Sequence, residues 1–292
     1  MAVAFFKRIS DFSSLVKISH TVFSMPFAII GFFLAIQHTG NSFELKTFIM
    51  ILLCVLFARN AAMSFNRIAD RSFDKKNPRT RDRDIPSGKI KLKYAYFFLV
   101  ANIILFFITT YLLNFLCFIL SPIALIIVLG YSLTKRFTFL SHFFLGLSLS
   151  MAPIGAYLAV TAQFNIIPLL YSLFVFLWVS GFDIIYALND VQFDREQGLH
   201  SLPARLGIKN ALIISVILHL ISLFVIIIAG MLNCNHLYFW IGTAIFAFFL
   251  FYQHYIVRHH DLSRLNRAFF TMNGLSGIVF LCFYVLDFYF PV

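Results

Sequence analysis

The chain has 292 residues, of which 61% are hydrophobic and only 12% charged, too apolar a composition for a soluble domain of this size. Its net charge of +11 comes from basic residues scattered over many short polar segments, which excludes a nucleic-acid-binding module. These figures describe a membrane protein.

The opening stretch sets Phe5, Phe6, Ile9, Phe12, Leu15 and Val16 against Lys7, Arg8 and Lys17. It reads either as an amphipathic helix lying on the inner membrane surface or as a frayed start. No small-residue cleavage site follows it, so no cleavable signal peptide is expected. A hydrocarbon core of about 30 Å takes roughly 20 apolar residues per helical span. Nine segments qualify, at 18–38, 47–66, 94–112, 114–133, 141–161, 166–188, 209–230, 236–256 and 268–289. A spanning segment must satisfy its own backbone polar groups. The prediction is therefore an all-α fold, nine transmembrane helices in one bundle, with residues 1–292 as a single transmembrane domain.

With the N-terminus inside, the inner segments hold 21 of the 23 Lys and Arg residues; Lys46 falls outside and Arg59 lies within the second span. The positive-inside rule therefore sets the orientation. Cys54, Cys117, Cys234 and Cys282 are scattered without a CxxC pair and read as packing residues, not as a disulfide or zinc framework.

The second span ends in Asn66-x3-Asp70-x3-Asp74, and the sixth ends in Tyr186-x3-Asp190-x3-Asp194. Steps of four residues drift only about 40° around a helix, so each set shares one face. Asp70 and Asp74 are about 6 Å apart along the axis, within reach of one hard cation, while Asn66 supports it from above. Four spans separate Asp70 from Asp190, which puts both stripes on the same, inner side. The matched spacing also suggests a duplicated four-span unit, with Pro26 to Gly31 and Pro153 to Gly155 near equivalent helices; chance similarity among apolar helices is the alternative. Acidic groups at span ends either pair with neighbouring Arg or face a cavity. Two matched stripes favour the cavity, and paired carboxylates of this kind hold magnesium, which keeps waters and binds substrate phosphates.

Between Lys75 and Gly88 the chain combines many cations with Pro and Gly, the composition of a structured loop beside the first stripe. Tyr131 to Arg136 places Lys135 and Arg136 at the inner end of the fourth span, suited equally to snorkelling and to diphosphate binding. His254, His259 and His260 lack matched carboxylates and do not read as a metal site.

Asn66-Arg-Ile-Ala-Asp70-Arg-Ser-Phe-Asp74, with Asn77-Pro78-Arg79-Thr80 and Arg83-Asp-Ile-Pro86-Ser-Gly88, resembles the first aspartate motif of the UbiA superfamily of intramembrane prenyltransferases. Asp183-Ile-Ile-Tyr186-Ala-Leu-Asn-Asp190-Val-Gln-Phe-Asp194 resembles the second, and Tyr131 to Arg136 the basic segment between them. The likeness runs over essentially the whole chain and is strongest to 4-hydroxybenzoate polyprenyltransferases. It implies transfer of a polyprenyl group from an allylic polyprenyl diphosphate to an aromatic acid in quinone biosynthesis. The other acceptors in view are a dihydroxynaphthoate of the menaquinone route, homogentisate and haem.

In that resemblance Asp70 and Asp74, aided by Asn66, hold one Mg²⁺, and Asp190 and Asp194 hold a second. Asp70, Asp190 and Asp183 form the catalytic set. Arg67, Arg79, Lys135 and Arg136 neutralise the diphosphate. Asp183, about 10 Å deeper than Asp190, orients the acceptor phenol or takes its proton, with Tyr186 beside it. A structural hydrogen bond from Asp183 to Tyr186 or to another helix is the plainer reading. Arg59 binds the acceptor carboxylate, or pairs with Asp183. A minority of the 39 phenylalanines would line a tail tunnel. The implied setting is the bacterial inner membrane, in contact with its lipid, with the N-terminus and active-site loops cytoplasmic. A transporter and a non-catalytic lipid-binding scaffold are the rivals from other classes.

Overall fold

The computed structural model describes residues 23–257, 265 and 271–292. The described residues are helical and contain no strand. In chain order the helices are α1 (Met25–Thr39), α2 (Leu45–Ala69), α3 (Arg71–Lys76), α4 (Leu92–Leu113), α5 (Phe115–Thr134) and α6 (Ser141–Thr161). They continue with α7 (Ile166–Ala187), α8 (Val191–Glu196), α9 (Leu202–Leu232), α10 (Leu237–Ile256) and α11 (Asn273–Tyr289). Among the described residues seven helices are long and apolar enough to cross a membrane; α1 and α11 are apolar but shorter. The expected nine spans thus resolve into seven full-length crossings and two shorter helices. The protein is an integral, multi-pass membrane protein. The amphipathic stretch before residue 18, the start of the first predicted span, and His259 and His260 lie outside the described residues.

Side-chain caps start several of these helices. Asn114 Oδ1 accepts from Cys117 N at 2.9 Å to open α5, and its amide donates to the Leu158 and Ala159 carbonyls at the end of α6. Asn165 Oδ1 accepts from Ile167 N at 3.0 Å to open α7. Each satisfies N–H groups that a helix start leaves orphaned. α9 runs longer than the predicted 209–230 because two helices meet at Gly207, whose φ of 80° is open to glycine and strained for other residues.

Packing is organised around α7, flanked by α6 and α9. Trp178 is fully buried, its ring 5.2 Å from Phe27, 5.0 Å from Phe182 and 5.4 Å from Phe246. Its indole N–H donates to Asn273 Oδ1 at 3.2 Å, tying α11 to α7. Buried aromatic rings supply much apolar contact area, and the polar indole edge needs a partner of this kind. α1 packs on α6 where Gly31 meets Pro153; a Cβ on Gly31 would stand 2.2 Å from the Pro153 carbonyl oxygen. The two small-residue segments noted in the sequence therefore touch each other, the close approach that glycine permits between membrane helices. α2 packs on α4 as α7 packs on α9, so the two motif-bearing helices have corresponding neighbours.

At the end away from the motifs, Asp287 of α11 accepts from His236 N at 3.0 Å and from Phe239 N at 2.9 Å, capping α10. His38 bridges Tyr157 and Asn233 there at 3.0 and 2.8 Å. This polar clasp joins α1, α6, the end of α9, α10 and α11.

Candidate active site

The two acidic stripes do not lie on unbroken helices. α2 ends at Ala69, and Asp70 occupies the sparsely populated bridge region at φ −89°, ψ 4° before α3 begins. The i to i−4 ladder still runs through the break, Asp70 N to Asn66 O at 2.9 Å and Asp74 N to Asp70 O at 2.8 Å. The four-residue step is kept although the helix is interrupted. In the second stripe α7 ends at Ala187, a 3₁₀ turn spans Leu188–Asp190, and Asp194 belongs to α8. At both places the apolar sequence gives way to a polar run, so apolar packing no longer holds the helix straight.

Each motif carboxylate is matched to one cation. Arg136 donates to Asp70 Oδ1 at 3.3 Å and Arg83 to Asp74 Oδ1 at 2.7 Å. Arg79 grips Asp190 through two nitrogens, with Nε at 3.0 Å from Oδ1, and Lys135 Nζ lies 3.4 Å from Asp194 Oδ2. Asn66 donates to Asp70 Oδ2 at 3.0 Å and accepts from Arg67 at 3.3 Å. Asn77 donates to Asp190 Oδ1 at 3.1 Å, so the loop after α3 reaches across to the second stripe. Arg79 also donates to the Tyr186 hydroxyl at 2.9 Å and stacks over its ring at 5.3 Å.

The segment after α3 is the structured loop its composition predicts. Asn77 and Thr80 are buried, Thr80 Oγ1 donates to the Asp74 carbonyl at 3.2 Å, and Arg79 N donates to Asn77 Oδ1 at 2.9 Å. Among the described residues no three His, Cys, Asp or Glu side chains converge as a ready-made metal cage. The carboxylates face cations instead.

Burial pushes the Asp70 carboxyl above its ordinary pKa, the Asp74 charge adds to this, and the Arg136 hydrogen bond opposes it. Burial alone would lower Lys135, but the charges of Asp194, Asp190 and Asp183 outweigh it and raise its pKa. Arg79 behaves alike: burial lowers it, and its bonds to Asp190 and Tyr186 leave it raised. Both groups stay cationic at neutral pH.

One cavity of about 630 Å³ collects every sequence-predicted site residue: Arg59, Asn66, Arg67, Asp70, Asp74, Arg79, Lys135, Arg136, Asp183, Tyr186, Asp190 and Asp194. Charged groups crowd the motif end. Beyond Arg59 the wall is mainly apolar, with Thr110, Ser121 and Ser148 as its hydroxyls, and runs through Val55, Leu120, Leu149 and Phe106 to Leu158 and Phe164 near the opposite ends of the helices. Of the many phenylalanines, Phe23, Phe73, Phe106, Phe164, Phe182 and Phe193 border it.

Asp183 hydrogen-bonds through its side chain to another helix and not within its own motif. Its Oδ2 is 2.7 Å from Nδ1 of His142, fully buried in the first turn of α6. The bond to another helix that the sequence leaves open for Asp183 is present. His142 has no motif spacing to mark it, and its only signal is its place seven residues after Lys135. Arg83, which holds Asp74, stands within the first motif in the sequence, where nothing in its spacing marks it as the partner of Asp74.

A family model described as the UbiA prenyltransferase family matches residues 24–275. The 4-hydroxybenzoate octaprenyltransferase of Aliivibrio fischeri is 30% identical over 233 residues, 80% of this chain and 81% of that protein. The enzyme of the same name from Francisella tularensis subsp. novicida is 26% identical over 238 residues, 82% of this chain and 84% of that one. Among solved structures, the apo UbiA homolog from Aeropyrum pernix K1 superposes with a TM-score of 0.83 at 32% identity, covering 92% of this chain and 98% of that one. A UbiA homolog from Archaeoglobus fulgidus, bound to GPP and Mg²⁺, shares the fold with a TM-score of 0.71 at 19% identity, covering 96% and 99%.

Proposed function

Because the chain belongs to the UbiA prenyltransferase family, we propose that it transfers a polyprenyl group from an allylic polyprenyl diphosphate to an aromatic acid in quinone biosynthesis, with 4-hydroxybenzoate as the acceptor. The observation that carries this reading is the shared cavity, cationic and carboxylate-rich at one end and uncharged and mainly apolar through the rest of its depth. Such a space fits a diphosphate head on a long hydrocarbon tail. The names of the Aliivibrio and Francisella relatives support the acceptor. A transporter would need polar groups along a complete path, and among the described residues the far half of this cavity carries no charged side chain.

Magnesium suits the donors present. Asp74 Oδ2 is buried without a hydrogen-bond partner, Asp70 sits in a setting that disfavours its bare charge, and the donors are all oxygen. Asn66, Asp70 and Asp74 would hold one ion and Asp190 and Asp194 a second; bound there, magnesium supplies the charge that neutralises the diphosphate leaving group. The Archaeoglobus homolog, whose structure holds GPP and Mg²⁺, supports that choice of ion.

The protein's own groups do the rest. Arg67, Arg79, Lys135 and Arg136 bind the diphosphate oxygens and meet the negative charge that grows as the allylic C–O bond breaks. The apolar wall holds the tail and keeps water from the allylic cation. Arg59 grips the acceptor carboxylate through its planar fork. Asp183 accepts a hydrogen bond from the phenol O–H, which enriches the ortho carbon as it bonds to the allylic carbon. The phenol proton passes to Asp183 as the C–C bond forms, leaving a neutral dienone; the ring hydrogen then leaves carbon as a proton taken up by the released diphosphate, and Asp183 returns its proton to the oxygen as aromaticity is restored. Tyr186 holds Arg79 at the boundary between the two substrates. The motif end faces the cytoplasm of a bacterial inner membrane, where the Lys and Arg excess lies, and residues 1–292 count as one transmembrane domain.

Offering the purified protein 4-hydroxybenzoate and a dihydroxynaphthoate together, with magnesium and prenyl diphosphates of several lengths, tests the reading by mass spectrometry of the products. Prenylated 4-hydroxybenzoate is the expected main product. Exclusive prenylation of the naphthoate would move the protein to the menaquinone route, and solute movement in proteoliposomes without any prenylated aromatic would overturn the assignment.

A further inference from the structure

His142 sits at the junction of three elements that the two aspartate motifs do not link. Its ring is fully buried in the first turn of α6; Nδ1 faces Asp183 Oδ2 of α7 at 2.7 Å, and Nε2 faces the backbone N of Leu202, the first residue of α9, at 3.4 Å. The Leu202 N–H can only donate, so Nε2 carries the lone pair and the ring proton stands on Nδ1. The imidazole is thereby fixed as a hydrogen-bond donor to Asp183. That bond occupies one carboxylate oxygen, while the Asp183 side chain keeps 18% of its surface exposed at the cavity wall. The residue before it, Ser141, also borders the cavity, and its buried hydroxyl has no hydrogen-bond partner in the protein. The wall around the first turn of α6 is therefore polar and incompletely satisfied from within, the condition of a surface that takes a ligand's polar groups.

We infer that His142 is the positioning residue of the acceptor subsite: it holds Asp183 in the orientation that presents the free carboxylate oxygen to the acceptor hydroxyl. The inference rests on the prenyl-transfer reading above and adds a residue to it. His142 touches neither substrate and acts through Asp183. Losing one hydrogen bond to a charged group reduces acceptor turnover roughly ten- to a hundredfold.

The competing account makes His142 only a cap for the first N–H of α9, and two substitutions separate the accounts. His142→Leu removes both bonds. His142→Asn keeps a side-chain N–H near the position of Nδ1 but has no atom to replace Nε2. Steady-state kinetics on purified protein should show kcat/KM for the aromatic acceptor falling roughly ten- to a hundredfold in H142L. The KM for the prenyl diphosphate should stay within about threefold, because the diphosphate end is untouched. H142N should recover most of the acceptor term. In the H142L and D183N pair, the double variant should be no slower than D183N alone, since one residue works through the other.

Equal losses for donor and acceptor in both variants, with a lowered melting temperature and no recovery by Asn, would establish the cap and overturn the inference. So would an H142L enzyme with normal acceptor kinetics beside an active wild type. A wild type that makes no prenylated aromatic at all overturns the parent reading and this inference with it, so the two failures are distinguishable.

Discussion

Asp70 and Asp190 each stand where an apolar helix gives way to a polar run, and each is already held by an arginine, Arg136 and Arg79. Their chemistry follows from that position: a carboxylate on a cavity wall, within a layer of cations, can serve a diphosphate and its counter-ions together. Asp70→Ala or Asp190→Ala should abolish nearly all prenyl transfer, measured as product in a detergent assay, while the variant still purifies as a monodisperse protein. Asp183→Asn should act differently. Loss of a positioned base costs about 10²- to 10⁴-fold, and here it should fall on the acceptor step, with prenyl diphosphate still ionised and trapped by water as the prenyl alcohol. Full activity of D183N would remove that residue from the chemistry. The twelve candidate positions were legible because short polar motifs stand out in an apolar chain, and in the first motif the four-residue step survives where the helix breaks at Asp70. His142 was not legible, since a lone histidine in an apolar helix carries no spacing signal and its partner lies 41 residues away.

At the scale of the helices, apolar length located the segments and most of their ends to within a few residues, and it missed the short elements after the motifs and the early start of α9. The polar runs after α2 and α7 fold into the short helices α3 and α8 and a 3₁₀ turn, and Gly207 splits α9. These ends are set by local hydrogen bonds and by backbone special positions, to which hydropathy is blind. The contact of α1 with α6 depends on Gly31 lying against the Pro153 backbone, with no room for a Cβ. Gly31→Ala should therefore cost about 1–3 kcal/mol of overpacking and lower the melting temperature in detergent. An unchanged melting temperature would show that the two helices can separate at no cost. Because α6 also carries His142 and borders the cavity, the same substitution should weaken acceptor turnover more than donor binding.

Over the whole molecule, the charge pattern and the cavity share one polarity. Among the described residues Lys and Arg gather at the motif end, the cavity wall away from it carries no charged side chain, and the clasp of His38, Asn233 and Asp287 ties the helices together at their other ends. Single cysteines placed at Arg81 and at Asn41, in a chain with its native cysteines replaced, should label from opposite sides of intact membranes, with Arg81 reached only from the cytoplasm. Labelling of both from one side would break the topology on which the two motifs share a face. Chelation of magnesium should stop turnover and its return should restore it, because four carboxylates and their cations leave the diphosphate charge only partly balanced without it. The overall bundle followed from composition and charge, whereas the contacts that join the two motifs, Asn77 and Arg79 on Asp190 and the neighbours Lys135 and Arg136 on Asp194 and Asp70, are seen only in the tertiary structure.

The most direct test of the central claim, that the two motifs work on one diphosphate in one cavity, is prenyl transfer to 4-hydroxybenzoate by the purified protein with and without magnesium, beside Asp70→Asn and Asp190→Asn. The account predicts magnesium-dependent prenylated product from the wild type and a loss of at least about 10²-fold in either variant. Undiminished product from either variant, or none from the wild type with any aromatic acid offered, would contradict it.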